Sequence, residues 1–280
     1  MTEPILFRVI ILIKRFLRLD KLPFFSTIPY MSIPFPVTIQ GSRMKPVGLR
    51  RYLLGAHEPG TTALCKRIIR PGDMVLDLGA ELGYFSLLFS RLVGKEGRVF
   101  SFEADPFCIE KLRNNISRNG YTNITVVDKA VGVESGKTRF FVAKDKGTSS
   151  IFYPNELGGE WVDVESTTVD DFLDSRHIKI IDFFKMDVEG AESGVFEGMR
   201  HTIAVARRDH RKLCGVVELS PRLLRAAGVS PEIFLENLKN YGFELFFINS
   251  SGGIAELSEA ELIQMAIKEK HINIFCDLCA

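Results

Sequence analysis

At 280 residues and 46% hydrophobic content, the chain can form one large α/β domain with extensions, or two small domains, and bury a core without covalent staples. Its 36 lysines and arginines nearly cancel 35 aspartates and glutamates, so no overall field would gather it onto nucleic acid or an acidic polymer. The five cysteines, Cys65, Cys108, Cys214, Cys276 and Cys279, form an odd and scattered set. Free thiols in a reducing, cytoplasmic setting are expected, and Cys276 and Cys279 lack the second pair of ligands that zinc needs.

In chain order, Ile5 to Leu19 is apolar with Arg8, Lys14, Arg15 and Arg18 embedded in it. Its longest uncharged run, Val9 to Ile13, is too short to span a bilayer. No basic region precedes it and no small-residue cleavage site follows, which argues against a signal peptide. An amphipathic helix over residues 5–19 suits two roles: peripheral contact with an anionic membrane, or docking of its apolar side on the main domain. Pro23, Pro29, Pro34 and Pro36 keep the next stretch extended, and Val37 to Val47 reads as a small hairpin around Gly41-Ser42. Together these make an N-terminal extension, residues 1–56.

A helix capped by Thr61 or Thr62 runs to Ile69 and stops at Pro71-Gly72. Strands and helices then alternate, which predicts an α/β domain over residues 57–280 with a mostly parallel sheet covered by helices on both faces. Met74–Leu78, Arg98–Glu103 and Ile124–Val127 read as strands. The helices between them are Tyr84–Val93 and one capped by Asp105-Pro106 and closed by Asn119-Gly120. Lys137–Val142 and Trp161–Glu165 are short β-like pieces around a polar loop, an insertion in a crossover. Ile180–Met186 resumes the series. It is followed by a helix from about Glu192, a strand Gly215–Leu219, a helix capped by Ser230-Pro231, and Phe243–Ile248. A capping box of Ser258 and Glu261 opens another helix, and Ile272–Phe275 ends the series, placed to pair antiparallel.

Asp77-Leu78-Gly79-Ala80-Glu81-Leu82-Gly83 ends the first strand and opens its helix, with glycines that let the backbone turn tightly and approach a ligand. The spacing G-x-x-x-G does not write the G-x-G-x-x-G cradle of dinucleotide enzymes. Glu103 closes the second strand, where an acidic side chain can accept both hydrogen bonds of an adenosine ribose. On these residues alone, a nucleoside-cofactor enzyme, an NAD-binding protein and a non-catalytic Rossmann-like domain all remain open.

Through VLDLGAELGYFS (Val75 to Ser86), VFSFEADP (Val99 to Pro106) and especially KMDVEGAE (Lys185 to Glu192), the chain resembles the FkbM family of class I methyltransferases, from about Glu58 to Phe275. The resemblance implies a Rossmann-like, seven-stranded sheet with one reversed strand, S-adenosylmethionine as cofactor and, usually, O-methylation. By similarity Asp77 and Gly79 sit near the methionine part, Glu103 at the ribose, and Asp128, Lys129 and Ala130 near the adenine. Ala80, Glu81, Gly83, Tyr84, Ala104 and Asp187 complete the implied cofactor site. The family commonly has asparagine where this chain has Glu81, and a carboxylate there would either repel the cofactor's carboxylate or meet its ammonium.

A hydroxyl acceptor must lose a proton as it is methylated. Lys185 and Asp187 interrupt an otherwise apolar strand, where charges are costly unless paired or functional. Asp187, Glu189 and Glu218 lie at the carboxyl edge of the sheet, where open α/β sheets bind ligands. They are candidates for the base, or for joint ligation of a divalent metal that lowers the hydroxyl pKa; an ion pair of Lys185 with Asp187 that merely positions the strand is the alternative. His57, His177, His201, His210 and His271 show no metal spacing, and only His57 precedes the sheet in a segment able to fold over the site. The acceptor class, whether sugar, glycan, lipid or secondary metabolite, is set by loops such as Lys144 to Pro154 and is not written in the motifs.

Overall fold

The computed structural model describes residues 57–143, 150 and 158–278. The expected N-terminal helix, proline-rich segment and hairpin lie outside these residues, as do Cys279 and most of the polar loop after Ala143.

The first helix, α1 (Pro59–Ile68), begins earlier than Thr61, because Pro59 takes the first helical position and Glu58 becomes the N-cap residue. Thr61 and Thr62 therefore face inward from the first turn, both buried. Next come β1 (Met74–Leu78), α2 (Tyr84–Val93), β2 (Arg98–Phe102), α3 (Pro106–Asn119) and β3 (Ile124–Val127). The insertion follows as β4 (Ala130–Val131), β5 (Gly136–Ala143) and β6 (Gly159–Thr167). It forms its own three-stranded sheet, in which β5 and β6 pair antiparallel.

The main series continues with α4 (Val169–Ser175), β7 (Phe183–Met186), α5 (Glu192–Glu197), α6 (Arg200–Arg208), β8 (Cys214–Leu219) and α7 (Pro221–Ala226). It closes with α8 (Pro231–Asn240), β9 (Phe243–Ile248), β10 (Ile254–Glu256), α9 (Glu259–Glu269) and β11 (Ile272–Leu278). β7 is shorter than the apolar run from Ile180 suggests, because Asp182 before it accepts the Met74 amide on its side chain.

Among the described residues the large sheet has the order β10-β9-β11-β8-β7-β1-β2-β3. β1, β2, β3, β7 and β8 run parallel, while β11 runs antiparallel to both β8 and β9. The expected sheet with one reversed strand is thus present as β9 through β3. An eighth strand, the exposed three-residue β10, is added at the edge by a turn in which the Asn249 side chain accepts the Ser251 and Gly253 amides.

Alternation along the strands divides the core. Leu76, Leu78, Phe100, Phe102, Phe184 and Met186 pack beneath α4 to α9, and Val75, Val99, Phe183 and Val216 pack against α1, α2 and α3. On the second face the alternation also places Asp77 beside Lys185 in register. From β1 the chain winds one way through β2 and β3, then returns to build β7 and β8 on the other side, so the carboxyl ends of β1 and β7 flank the switch point where such sheets bind ligands.

Candidate active site

At that switch point lies an open cleft, in the position where open α/β sheets bind small molecules. Asp77, Gly79, Ala80, Glu81 and Tyr84 reach it from the β1–α2 turn, and Glu103 and Ala104 from the end of β2. Lys129 and Ala130 line the far side, and Asp187 and Glu189 the end of β7. Three expected residues sit otherwise. Gly83 caps α2, where a Cβ would meet Leu112 at 2.5 Å. Asp128 faces outward and pairs with Arg113 at 3.3 Å. Glu218 ends β8, with Oε1 2.9 Å from His271 Nδ1.

The turn after β1 is fixed by close approach. At Gly79, φ 84°, a Cβ would lie 1.9 Å from the Asp187 carbonyl oxygen, so glycine alone lets β1 and the loop after β7 come together. The Gly79 and Ala80 amides both donate to the Phe102 carbonyl. Glu103 ties this turn to the next: one carboxylate oxygen accepts the Glu81 amide (2.7 Å), the other the Ala104 and Asp105 amides (2.8 Å each). Burial pushes the Glu103 carboxyl up to about 7 despite these bonds.

Asp77 is 1% exposed. Its Oδ2 accepts from Ser86 Oγ, which in turn accepts from Ser101 Oγ, while Oδ1 accepts no hydrogen bond among the described residues. Burial raises its carboxyl to about 6 against the lowering influence of Lys185. A buried acceptor without a donor costs about 1–3 kcal/mol, and a bound donor removes that cost. The residues present therefore fit the ammonium-bearing, sulfonium-containing cofactor implied by the sequence: an open acceptor, a close-approach glycine and an acidic wall.

Lys185 is 3% exposed and donates to Asp187 Oδ2 at 2.9 Å, with its ammonium 4.7 Å from the centre of the Phe85 ring. Burial works against its charge, but Asp187, Glu58 and Asp77 more than offset this and raise its proton affinity. Glu58 in turn is lowered to about 2: burial opposes this, and the Lys185 charge together with hydrogen bonds from His57 and Thr61 prevails. His57 does fold over the site, stacking edge-on to Tyr84 at 5.1 Å with Nε2 3.3 Å from Glu58 Oε1. Asn273 on β11 donates to Glu58 Oε2 at 2.6 Å and to Thr61 at 2.9 Å.

The loop after β7 turns through Glu189 at φ 53° and Gly190 at φ 102°. Glu192 Oε1 accepts the Val188 and Gly190 amides at 3.2 Å each, and Ser150 donates to the Glu189 carbonyl at 2.6 Å. Burial, then the charges of Asp187 and Glu218, raise Glu189 well above the usual carboxylate range. Burial likewise raises Glu192 to about 8. Sequence reasoning did not assign roles to Glu58, Asn273, Ser150, Glu192 or His271. Glu192 was visible as the last residue of KMDVEGAE, and Glu58 and Ser150 lie in the segments His57-Glu58-Pro59 and Gly147-Thr148-Ser149-Ser150 that share in the resemblance, whereas Asn273 and His271 are brought in by tertiary contacts alone. Among the described residues no group of three or more histidine, cysteine, aspartate and glutamate side chains is arranged to hold a metal ion. Cys65, Cys214 and Cys276 are buried free thiols, Cys108 is also buried, and no described helix is long and apolar enough to cross a membrane.

Comparison with known proteins places this cleft in a family. The 2-O-methyltransferase NoeI of Sinorhizobium fredii is 27% identical over 179 residues, covering 57% of this chain and 72% of NoeI. A protein-L-isoaspartate O-methyltransferase of Methanococcoides burtonii is 31% identical over 83 residues, 29% of this chain, which spans 40% of that relative's length. The corresponding protein of Ignicoccus hospitalis is 39% identical over 59 residues, 21% of this chain and 28% of the relative. The protein-L-isoaspartate(D-aspartate) O-methyltransferase family matches residues 14–136. The methyltransferase FkbM domain matches residues 77–245, more than half of the chain and both flanks of the cleft, from Asp77 through the loop after β7 and on to β9. The chain belongs to the FkbM methyltransferase-domain family.

Proposed function

We propose that the protein transfers a methyl group from S-adenosylmethionine to a hydroxyl oxygen of a small molecule or glycan. The observation that carries this reading is the unsatisfied, buried Asp77 Oδ1 in a cleft whose lining also carries Glu81, Glu103, Asp187 and Glu189 beside Lys129 and Lys185. An acceptor in want of a donor is met by the ammonium of the sulfonium cofactor and not by the pyrophosphate of a dinucleotide, which favours that cofactor over NAD. When bound, S-adenosylmethionine supplies a methyl group whose bond to sulfur breaks as the bond to the acceptor oxygen forms, the electron pair remaining on sulfur.

Asp77 and Glu81 hold the amino-acid end, Gly79 lets the backbone approach, and Glu103 binds the ribose. Lys129 and Ala130 flank the base. At the acceptor side, Asp187 is oriented by Lys185, and Glu189, whose proton affinity is raised by burial and by the charges of Asp187 and Glu218, is the second candidate for taking the hydroxyl proton. Glu218, held by His271, contributes to that raised affinity. In the sequence the extension 1–56 precedes the catalytic domain 57–280, and the composition of its segment 5–19 suits either peripheral contact with an anionic membrane or docking on that domain.

Tritiated-methyl transfer to fractionated cell extract tests the reaction class. Ether-linked label survives alkali, and a neutral product fraction carrying alkali-stable label is expected. Label recovered entirely as alkali-labile ester would replace hydroxyl methylation with carboxyl methylation. EDTA added to the same assay is expected to leave the rate unchanged; a loss that magnesium or manganese restores would assign the carboxylates to a metal instead.

A further inference from the structure

Where β7 and β8 run parallel, Lys185 is paired with Val216 and Met186 with Val217, so Asp187 and Glu218 are the next residues on neighbouring strands. Alternation puts both on the face that carries Lys185. On the other side of β8, β11 sets Asn273 opposite Glu218, and His271 comes directly before β11. A row of titratable side chains therefore crosses the carboxyl edge of the sheet from the cleft outward, in the order Asp187, Glu218, His271.

The middle of this row is buried and its end is wet. Glu218 is 8% exposed, with Oε1 2.9 Å from His271 Nδ1, while its other oxygen accepts no hydrogen bond among the described residues. The His271 side chain is 62% exposed. Directly before it, Lys270 ends α9 at φ 77°, a left-handed conformation that a lysine enters only at a cost. Strain of this kind persists where the surroundings hold it, and it gathers at functional sites. Burial and the Asp187 charge raise the proton affinity of Glu218, so a proton can rest there in passing. The hydrogen bond with Glu218 raises that of His271 against burial, and the charges of Glu218, Asp187 and Glu58 add to the rise.

We propose that Glu218 and His271 carry the acceptor's proton from the cleft to solvent, with His271 the residue that releases it. The inference rests on the methyl-transfer reading above. As the bond from the methyl carbon to the acceptor oxygen forms, the hydroxyl proton passes to Asp187. From there it passes to the Glu218 carboxylate and then to Nδ1 of neutral His271, and the imidazolium sheds its Nε2 proton to water. Each group ends as it began, so one proton leaves for each methyl transferred and no co-reactant is needed. Bound cofactor and acceptor exclude water from the cleft side of Asp187, which gives an exit behind it a use.

Turnover of the full-length protein is measured on the extract fraction that accepts tritiated methyl, and calorimetry with S-adenosylmethionine checks that each variant is folded. His271→Ala is expected to bind S-adenosylmethionine within about twofold of the parent. It should turn over at least about tenfold more slowly, and free imidazole at about 50 mM should restore most of the rate, because the exposed position leaves room for it. The parent's rate should fall as pH drops through a value above the ordinary imidazole pKa of about 6.5, where His271 keeps its proton, and His271→Ala should lose this acid limb. Glu218→Gln, which keeps the shape but cannot carry the proton, should be slowed as well and gain nothing from imidazole. A His271→Ala enzyme with the parent's turnover and pH profile overturns the proposal, as does a loss that imidazole leaves unchanged or a fully active Glu218→Gln. A parent protein that labels no fraction fails at an earlier step, and it removes the methyl-transfer reading together with this one.

Discussion

Asp187 follows β7 with its carboxylate 2.9 Å from the buried Lys185 ammonium, and Lys185 also feels the charges of Glu58 and Asp77. A lone buried ion pair broken by Asp187→Asn would strand the lysine, at a cost of roughly 3–5 kcal/mol. Here two other carboxylates still balance Lys185, so a cost nearer about 1–3 kcal/mol is expected. Turnover should fall by about two or more orders of magnitude with cofactor binding nearly intact, because asparagine keeps the shape but cannot help accept a proton. Lys185→Met combined with Asp187→Asn should recover melting temperature without recovering turnover. A stable, fully active Asp187→Asn enzyme would shift the chemistry to Glu189. KMDVEGAE made Lys185 and Asp187 legible as charges in an apolar strand. It could not show that the charge of Glu58, far away in the sequence, shares the lysine, since the two come near only in the fold, where Asn273 on β11 donates to the Glu58 carboxylate.

Elements whose signals are local were legible at nearly residue precision. Asp105 accepts the Phe107 amide, Ser230 the Ile233 amide, and Ser258 and Glu261 form the reciprocal capping box. β10 was not legible, because three exposed residues carry no hydrophobic period and pair only after the Asn249 turn reverses the chain. The start of α1 was missed because Pro59 takes the first helical position without the polar cap that usually announces one. For the extension, deletion of residues 1–19 should leave cofactor affinity unchanged, since the segment precedes the elements that line the cleft. Co-sedimentation with anionic vesicles should fall on deletion and weaken with salt in the parent. Equal sedimentation of both chains would leave only a docking role for the segment.

At the scale of the whole molecule, alternating strands and helices sufficed to give the parallel sheet, and the switch point followed from the order in which β7 returns beside β1. What the sequence could not convey is the electrostatic character of that point, because carboxyls from three strand ends and two loops are gathered there by topology. This has a consequence for stability. Burial raises Asp77 to about 6, Glu103 to about 7 and Glu192 to about 8, so each holds its proton more tightly folded than unfolded. Their contributions are full below the ordinary carboxylate range and are lost as pH rises through those values, whereas Glu58, lowered to about 2, stabilises above that range and is lost toward acid. The ligand-free protein should therefore melt highest near about pH 5 and progressively lower toward about pH 8.5, with Glu192→Gln flattening the alkaline decline. A melting temperature that rises over that interval would contradict the assignment of these buried acids.

The central claim is that the cleft between β1 and β7 binds S-adenosylmethionine through Asp77 and Glu103. Calorimetric titration of the parent and of Glu103→Ala addresses it most directly, with melting curves run alongside because Glu103 also anchors three backbone amides. Saturable one-to-one binding by the parent is expected, with a loss of about 1.5–3 kcal/mol for both S-adenosylmethionine and S-adenosylhomocysteine in a variant that remains folded. Absence of binding by the parent, or unchanged affinity in a folded Glu103→Ala protein, would contradict it.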